Sequence, residues 1–278
     1  MTLDPGEHTV SIQTIKGEGS QHALLALRSL RLTQAPSETV IDRHEEKNPE
    51  RVIDNCRPHI NLPWGALAHP DGRHILISGL PGYGRAGGGM AIYDIVDGSS
   101  TLLTDKDLVE HHSPLAMEAL PNGDIIACTT VSGTHGGRAV AREAVIFVLD
   151  WETKKVKWQT VPIPGLGTIR YMEKGSQGKL FCMGSDMTLF VFDPEEREVI
   201  HRQSLDQYGG LPSAADCMEP DGNGHICLLC QQAIVRIDTD TYQVQKVADA
   251  PGKISAGIGL LGDRVYFGIG SHLWSVRR

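Results

Sequence analysis

Short apolar runs alternate with turn residues from about residue 62 to the end of the chain. One recurring piece is a turn followed by an apolar run, as in HPDGRHILIS (69–78) and LPNGDIIACT (120–129). Asp-Gly and Asn-Gly favour tight turns because both residues tolerate positive φ, and the β-branched and aromatic residues after them favour strands. The other copies are GSQGKLFCMG (175–184), PDGNGHICLL (220–229) and LLGDRVYFGI (260–269).

A second recurring piece is an apolar strand that ends in aspartate, followed by a turn and a further strand. The four aspartates are Asp94, Asp150, Asp193 and Asp238. A third piece, such as WGALAHP (64–70), precedes each turn. Each unit therefore consists of four strands in about 45 residues, which is the period of a β-propeller blade.

These repeats predict an all-β protein, a β-propeller of four-stranded blades that cover one another's apolar faces. The predicted blades span about 62–104, 105–161, 162–203 and 204–248, and a fifth runs from 249 and stops after its third strand, HLWSV (272–276). The alternative architecture is another all-β sandwich.

Residues 1–61 form an N-terminal segment that we interpret as partial blades or a linker, and residues 62–278 as the propeller. TVSIQTI (9–15) and HALLALRSLRL (22–32) fit strands of a sixth blade, whereas the charged run 37–54 fits a strand pair, a helix or a linker. We expect five to seven blades, and the N-terminal segment is a candidate for the missing outer strand of the fifth.

Composition narrows the classes of partner. The net charge is -8, which argues against a nucleic-acid partner because nucleic-acid binding needs a basic face. The sequence shows neither an 18-residue apolar stretch nor a signal peptide, so we expect no membrane association, a cytoplasmic protein by default and six reduced cysteines.

The runs at 64–94, 115–150, 188–202 and 262–276 resemble a group of bacterial and fungal propellers. That group includes polysaccharide lyases that cleave the rhamnose–glucuronate linkage of plant gums, together with many members of unknown activity. The resemblance covers about 60–278. It implies a propeller fold and a carbohydrate-active protein, and it makes a lyase for uronate-containing glycans the leading hypothesis.

Two predicted loops are much longer than their counterparts in later blades, and such asymmetry favours a ligand site there. These loops are GLPGYGRAGGG (79–89) and VSGTHGGRAVAREA (131–144). We expect them, together with the entries to the first strands, to lie on one face of the propeller. The candidate residues are Trp64, Tyr83, Arg85, His111, His112, His135, Arg138, Arg142 and Glu143.

Arginine, histidine and aromatic side chains suit β-elimination from a uronate. Arginine neutralises a carboxylate with paired hydrogen bonds, a planar ring packs on a sugar face, and histidine or tyrosine moves the proton. His111 or His112 is the predicted base or acid, with His135 and Tyr83 as further catalytic candidates. The predicted substrate-binding residues are Arg85, Arg138, Arg142, Trp64 and Glu143.

The predicted ligand is a glycan or an acidic small molecule, and the sequence indicates no cofactor and no metal. The alternative is a non-catalytic propeller that binds a protein or a glycan. A metal-dependent lactonase ranks last because its carboxylates would have to surround the channel, whereas the candidate aspartates fall in turns. Cys227-x-x-Cys230 lies in a strand, where residues three apart point to opposite faces, so we interpret it as buried packing.

Overall fold

The computed structural model describes residues 52–53, 55–134, 136–213 and 216–278. Within these residues it contains nineteen β-strands and two short 3₁₀ helices, at Ser176–Gly178 and Asp206–Tyr208. None of the helices in this part of the chain is long and apolar enough to cross a membrane. The prediction of an all-β protein is therefore confirmed.

The strands form five antiparallel sheets, each made of strands that follow one another in the chain. Sheet 1 consists of β1 (Leu62–Ala68), β2 (His74–Leu80), β3 (Gly89–Asp94) and β4 (Ser100–Thr104). Sheet 2 consists of β5 (Ser113–Ala119), β6 (Ile125–Thr130), β7 (Ile146–Leu149) and β8 (Val156–Thr160). Sheet 3 consists of β9 (Ile169–Lys174), β10 (Leu180–Gly184), β11 (Thr188–Asp193) and β12 (Glu198–Ser204).

The last two sheets follow the same order. Sheet 4 consists of β13 (Met218–Pro220), β14 (His225–Leu229), β15 (Ala233–Asp238) and β16 (Val244–Asp249). Sheet 5 has three strands, β17 (Ala256–Leu261), β18 (Arg264–Ile269) and β19 (His272–Arg277). The described residues thus contain the three strands that the sequence predicts for this unit. The predictions for residues 1–51, and with them the total number of blades, lie outside the described residues.

The sheets pack side by side through their first strands. β1 contacts β5, β5 contacts β9, β9 contacts β13, and β13 contacts β17. One apolar cluster lies between sheets 1 and 2, a second between sheets 2 and 3, and a third joins sheets 3, 4 and 5. Stacked apolar faces of this kind bury what a lone sheet would expose.

Each strand-end aspartate organises the turn to the outer strand, as the sequence predicts. Asp94 accepts hydrogen bonds from the main-chain nitrogens of Val96 (2.8 Å) and Asp97 (3.4 Å). Asp150, Asp193 and Asp238 accept equivalent main-chain bonds from the second or third residue after them. These carboxylates are committed to turns, and we assign them no catalytic role.

All six cysteines lie in the described part of the chain and are free thiols. Five are buried, and Cys56 is half-buried. Cys128, Cys182 and Cys227 take the same place in the second strand of their sheets, so their predicted role in packing is confirmed. Burial raises the pKa of Cys227 to about 11, which keeps this thiol protonated at neutral pH.

Candidate functional site

The two long loops contact each other at the junction of sheets 1 and 2. The buried Thr134 hydroxyl, in the second loop, lies 2.8 Å from the Pro81 carbonyl oxygen and 3.0 Å from that of Gly82 in the first loop. Gly137 packs directly on the Arg85 carbonyl, since a Cβ at Gly137 would lie 2.4 Å from that oxygen. Each loop therefore stabilises the conformation of the other.

Glycines fasten the first loop to the entry of sheet 2. Gly87 has a φ of 84°, and a Cβ there would lie 2.2 Å from Oδ2 of Asp105. The Gly88 main-chain nitrogen donates to the His112 carbonyl at 3.0 Å. Because only glycine combines this positive φ with this close approach, packing explains the glycine at position 87.

His111 sits beside this contact in a strained conformation. Its φ of 64° lies in the left-handed region, which is uncommon for residues other than glycine. The Asp105 carboxylate holds it there by accepting the His111 main-chain N–H at 3.0 Å. The imidazole is 40% exposed, and its Nε2 lies 3.9 Å from a carboxylate oxygen of Glu110. His111 therefore presents a solvent-accessible ring from a fixed backbone.

His112 is buried and bonded to the main chain on both sides of its ring. Nδ1 lies 2.8 Å from the Glu110 carbonyl oxygen, and Nε2 lies 2.9 Å from the Glu143 carbonyl oxygen. A neutral imidazole donates one of these bonds, and an imidazolium donates both. This geometry gives His112 a positioning role, because it ties the end of the second loop to the start of β5.

The arginines and the tyrosine of the long loops are exposed. Tyr83 is 82% exposed and packs against Gly136, where a Cβ would lie 3.3 Å from the phenol oxygen. Arg85, Arg138 and Arg142 are exposed as well. Tyr83 and Arg85 thus lie beside Gly136–Gly137, whereas Arg142 belongs to the far end of the second loop.

Glu143 is committed to the scaffold. Its side-chain Oε1 accepts the Gly165 main-chain N–H at 2.7 Å, in the connection between sheets 2 and 3. Its carbonyl accepts the bond from His112. His135 lies outside the described residues. Of the predicted site residues, Tyr83 and Arg85 thus lie at the contact between the loops, and His111 lies beside the attachment of the first loop to sheet 2. His112 and Glu143 instead bond to the main chain and hold the loops in place.

Trp64 meets an arginine that the sequence reasoning missed. The guanidinium carbon of Arg170, on β9, lies 5.2 Å from the centroid of the Trp64 ring, on β1. Both residues are half-buried. The sequence signal for Arg170 is its place in the repeat, because TIRYMEK (168–174) carries Arg170 near the position at which WGALAHP (64–70) carries Trp64.

The described residues contain no group of three or more His, Cys, Asp or Glu side chains arranged to hold a metal ion. A cavity of about 340 Å³ lies at the turns that join the first and second strands of sheets 4 and 5, where Asp221, His225, Arg236 and Arg278 are among its lining residues. It is built from elements other than the long loops.

Comparison with solved structures identifies the class of fold. A gluconolactonase from Xanthomonas campestris is 14% identical, covers 78% of this chain and 72% of its own, and superposes with a TM-score of 0.50. The β-propeller domain of Myceliophteria thermophila Cps50 (Swd1) is 11% identical, with coverage of 74% and 66% and a TM-score of 0.52. The Dos1 propeller is 13% identical, with coverage of 70% and 47% and a TM-score of 0.50.

These similarities, together with the five stacked sheets, establish a β-propeller fold. At such low identities they show the fold alone. No protein-family profile and no curated protein matches the sequence.

Proposed function

We propose that this propeller is a carbohydrate-active protein that binds a uronate-containing glycan and cleaves it by β-elimination. The observation that carries the proposal is the contact between the two long loops, which brings Tyr83 and Arg85 next to Gly136 and Gly137. The first loop is in turn attached to the segment that carries the strained His111. We call the surface formed by Tyr83, Arg85, His111, Arg138 and Arg142 the long-loop face.

The long-loop face carries guanidinium groups and an aromatic ring, which suit a negatively charged sugar. Its three arginines are exposed, and a guanidinium binds a carboxylate through two parallel N–H···O bonds. Tyr83 adds an accessible aromatic ring that can pack on a sugar. The chain as a whole has a charge of -8, whereas the two long loops carry three exposed arginines, which favours an acidic ligand on these loops.

The proposed reaction follows from neutralising that carboxylate. An arginine stabilises the negative charge that develops when a base removes the proton from C5 of the uronate. The C5–H electrons form a C4–C5 double bond, the bond from C4 to the leaving oxygen breaks, and an acid protonates that oxygen. The elimination therefore needs a base and an acid and consumes no water or oxidant.

His111 is our choice for one of the two proton-transfer groups, and Tyr83 for the other. Both side chains are exposed to a ligand, and the backbone of His111 is fixed by Asp105. His112 acts through the loops that it joins. His135 remains a further candidate for proton transfer, and Arg85, Arg138 and Arg142 for holding the carboxylate.

The second candidate function is binding without catalysis. One observation favours it: both ring nitrogens of His112 are occupied by main-chain carbonyls, so one of the two adjacent histidines has no free nitrogen for chemistry. A propeller that uses the long-loop face to bind a glycan or a protein would need the arginines and the tyrosine only.

A direct assay separates the two functions. The protein is incubated with a panel of uronate-containing polysaccharides while the ultraviolet absorbance of unsaturated uronate is followed. We expect product from the wild type and a loss of about 10²-fold or more in His111→Gln, the size of a typical general acid–base contribution. His201→Gln, on the outer strand β12, is the matched control and should retain full rate. Binding without any unsaturated product would support the non-catalytic function instead.

A further inference from the structure

The face of sheet 1 that points away from sheet 2 is formed almost entirely by apolar side chains. The strand registers place on it Ala66 and Ala68 of β1, Ile75 and Ile77 of β2, Ala91 and Tyr93 of β3, and Leu102 and Ser100 of β4. We call this set the outer face of sheet 1. None of its members belongs to the apolar clusters between the described sheets. Ile75 is 40% exposed and Leu102 is 37% exposed, and a continuous apolar surface of this kind marks a place where another element packs.

The same positions in sheet 2 are buried against sheet 1. Ile75 pairs with Tyr93 across β2 and β3, and Tyr93 directly precedes the strand-end aspartate of its sheet. The equivalent pair in sheet 2, again directly before the strand-end aspartate, is Ile125 and Leu149. Both are fully buried in the cluster between sheets 1 and 2. The outer face of sheet 1 therefore has the composition of a face that a preceding sheet covers.

Chain order points to the segment that would cover it. Sheets 2, 3 and 4 each pack on the sheet before and the sheet after them in the chain. The part of the chain before sheet 1 is residues 1–51, which lie outside the described residues. Its length is close to that of one unit of the repeat, and it contains the apolar runs TVSIQTI (9–15) and HALLALRSLRL (22–32).

The chain directly before β1 is fastened to sheet 1. The Gly82 main-chain N–H donates to the Pro58 carbonyl at 2.7 Å, and that of Asn61 donates to the Leu80 carbonyl at 2.8 Å. These bonds fix the place from which residues 1–51 extend, so packing of that segment on sheet 1 is an intramolecular step. Short tethers give effective concentrations in about the millimolar range, and a second copy of the chain would have to compete with that concentration.

We propose that residues 1–51 cover the outer face of sheet 1, with the runs 9–15 and 22–32 packed on it as strands of a preceding sheet. This inference does not depend on the proposed reaction. It does connect the segment to the long-loop face, because the residues that lead into β1 bond to Leu80 and Gly82 of the first long loop.

Tryptic cleavage of the folded full chain tests whether the segment is packed. The bonds after Arg28 and Arg31 lie within the run 22–32. Their cleavage should be at least about 100-fold slower than in a synthetic peptide of residues 17–36, because burial of two leucine side chains favours the packed state by about that factor and cleavage follows the population of the open state. Ile75→Asp should speed this cleavage by about 10-fold or more, because the packed segment would bury an unpaired carboxylate.

The matched control is Ile200→Asp. Ile200 is 37% exposed and lies on β12, the outer strand of sheet 3, so its substitution should leave cleavage at the wild-type rate. Leu102→Asp, on the outer strand β4, is a second variant of the proposed interface that decides the matter if Ile75→Asp does not fold. Circular dichroism shows which variants are folded.

Carbene footprinting of the unmodified full chain provides a measurement that needs no substitution. The reagent labels side chains that solvent reaches, and Ile200 serves as the internal reference because its exposed fraction is similar to those of Ile75 and Leu102. If residues 1–51 cover the outer face of sheet 1, Ile75 and Leu102 should be labelled several-fold less than Ile200.

Two results would overturn the proposal. Labelling of Ile75 and Leu102 as strong as that of Ile200 would show that the face is open. Weak labelling combined with peptide-like cleavage after Arg28 and Arg31 would show that something other than residues 1–51 covers it. In that case, a dimer in light scattering that Ile75→Asp converts to a monomer would identify the occupant as a second copy of the chain.

Discussion

The aspartate at the end of the third strand fixes the turn to the outer strand in sheets 1 to 4. A basic side chain pairs with the strand-end aspartate in the first three sheets: Arg73 with Asp94, Lys157 with Asp150, and Lys179 with Asp193. The Arg73 and Lys157 side chains hold the pKa of their respective partners, Asp94 and Asp150, below the usual range. These pairs recur because each unit must turn into its outer strand at the same place.

Asp193 offers a prediction about pH and stability. Burial alone would raise its pKa, but the hydrogen bonds from Lys179 and the turn nitrogens lower it overall. A folded-state pKa below the unfolded value of about 3.9 gives stability that is present above that pH and is lost as the pH falls through the folded pKa. We therefore expect the wild-type melting temperature to fall below about pH 4.

The variant Asp193→Asn should be about 1–3 kcal/mol less stable at pH 7, because Lys179 loses a charged partner, and its melting temperature should depend less steeply on acid pH. Thermal unfolding followed by circular dichroism from neutral pH to about pH 2 measures both effects. Asp263→Asn is the control, since its pair with Arg277 is exposed and such pairs contribute little. Equal acid sensitivity in wild type and Asp193→Asn would contradict the assignment.

The two long loops act as one element although they belong to different sheets. The Thr134 hydroxyl is shared between two carbonyls of the first loop, and His112 joins the second loop to β5. Neither contact has a sequence signature, because it depends on which sheets become neighbours.

The turns were predictable from Asp-Gly and Asn-Gly, whereas the Arg170–Trp64 contact was not, since it joins residues 106 positions apart through two bulges.

Thr134→Val tests the coupling of the loops. The substitution keeps the side-chain shape and removes the hydroxyl, which leaves two buried carbonyl oxygens without this donor. We expect a loss of about 1–3 kcal/mol in the free energy of unfolding and faster hydrogen exchange in 79–89, measured by chemical denaturation and mass spectrometry. Thr134→Ser keeps the hydroxyl and should retain slow exchange. Unchanged exchange in both variants would show that the loops are held by other contacts.

At the scale of the molecule, the fold depends on close packing between successive sheets. First strands contact one another in chain order, and apolar clusters fill the spaces between the sheets. Within the described residues, sheet 5 has three strands, and it carries the exposed side chains Leu261, Leu273 and Trp274. The repeats made the individual sheets predictable from the sequence. The total number of blades stays a prediction because residues 1–51 lie outside the described residues.

Gly65→Ala tests this packing. Its Cβ would lie 2.3 Å from the Leu115 carbonyl oxygen, so sheets 1 and 2 would have to move apart. Overpacking of this kind costs about 1–3 kcal/mol, which thermal and chemical unfolding would detect. Gly259→Ala is the matched control, because Gly259 also lies in a first strand, β17, and a Cβ there has no atom within 4 Å. Equal stability of the two variants would contradict the arrangement of first strands.

Hydrogen–deuterium exchange with and without a uronate-containing oligosaccharide locates the ligand irrespective of turnover. Binding on the long-loop face should protect peptides covering 79–89, 109–114 and 131–144, with little change in 221–236. Protection confined to the cavity near Asp221 and Arg236, or no protection at saturating ligand, would contradict a glycan site on the long-loop face.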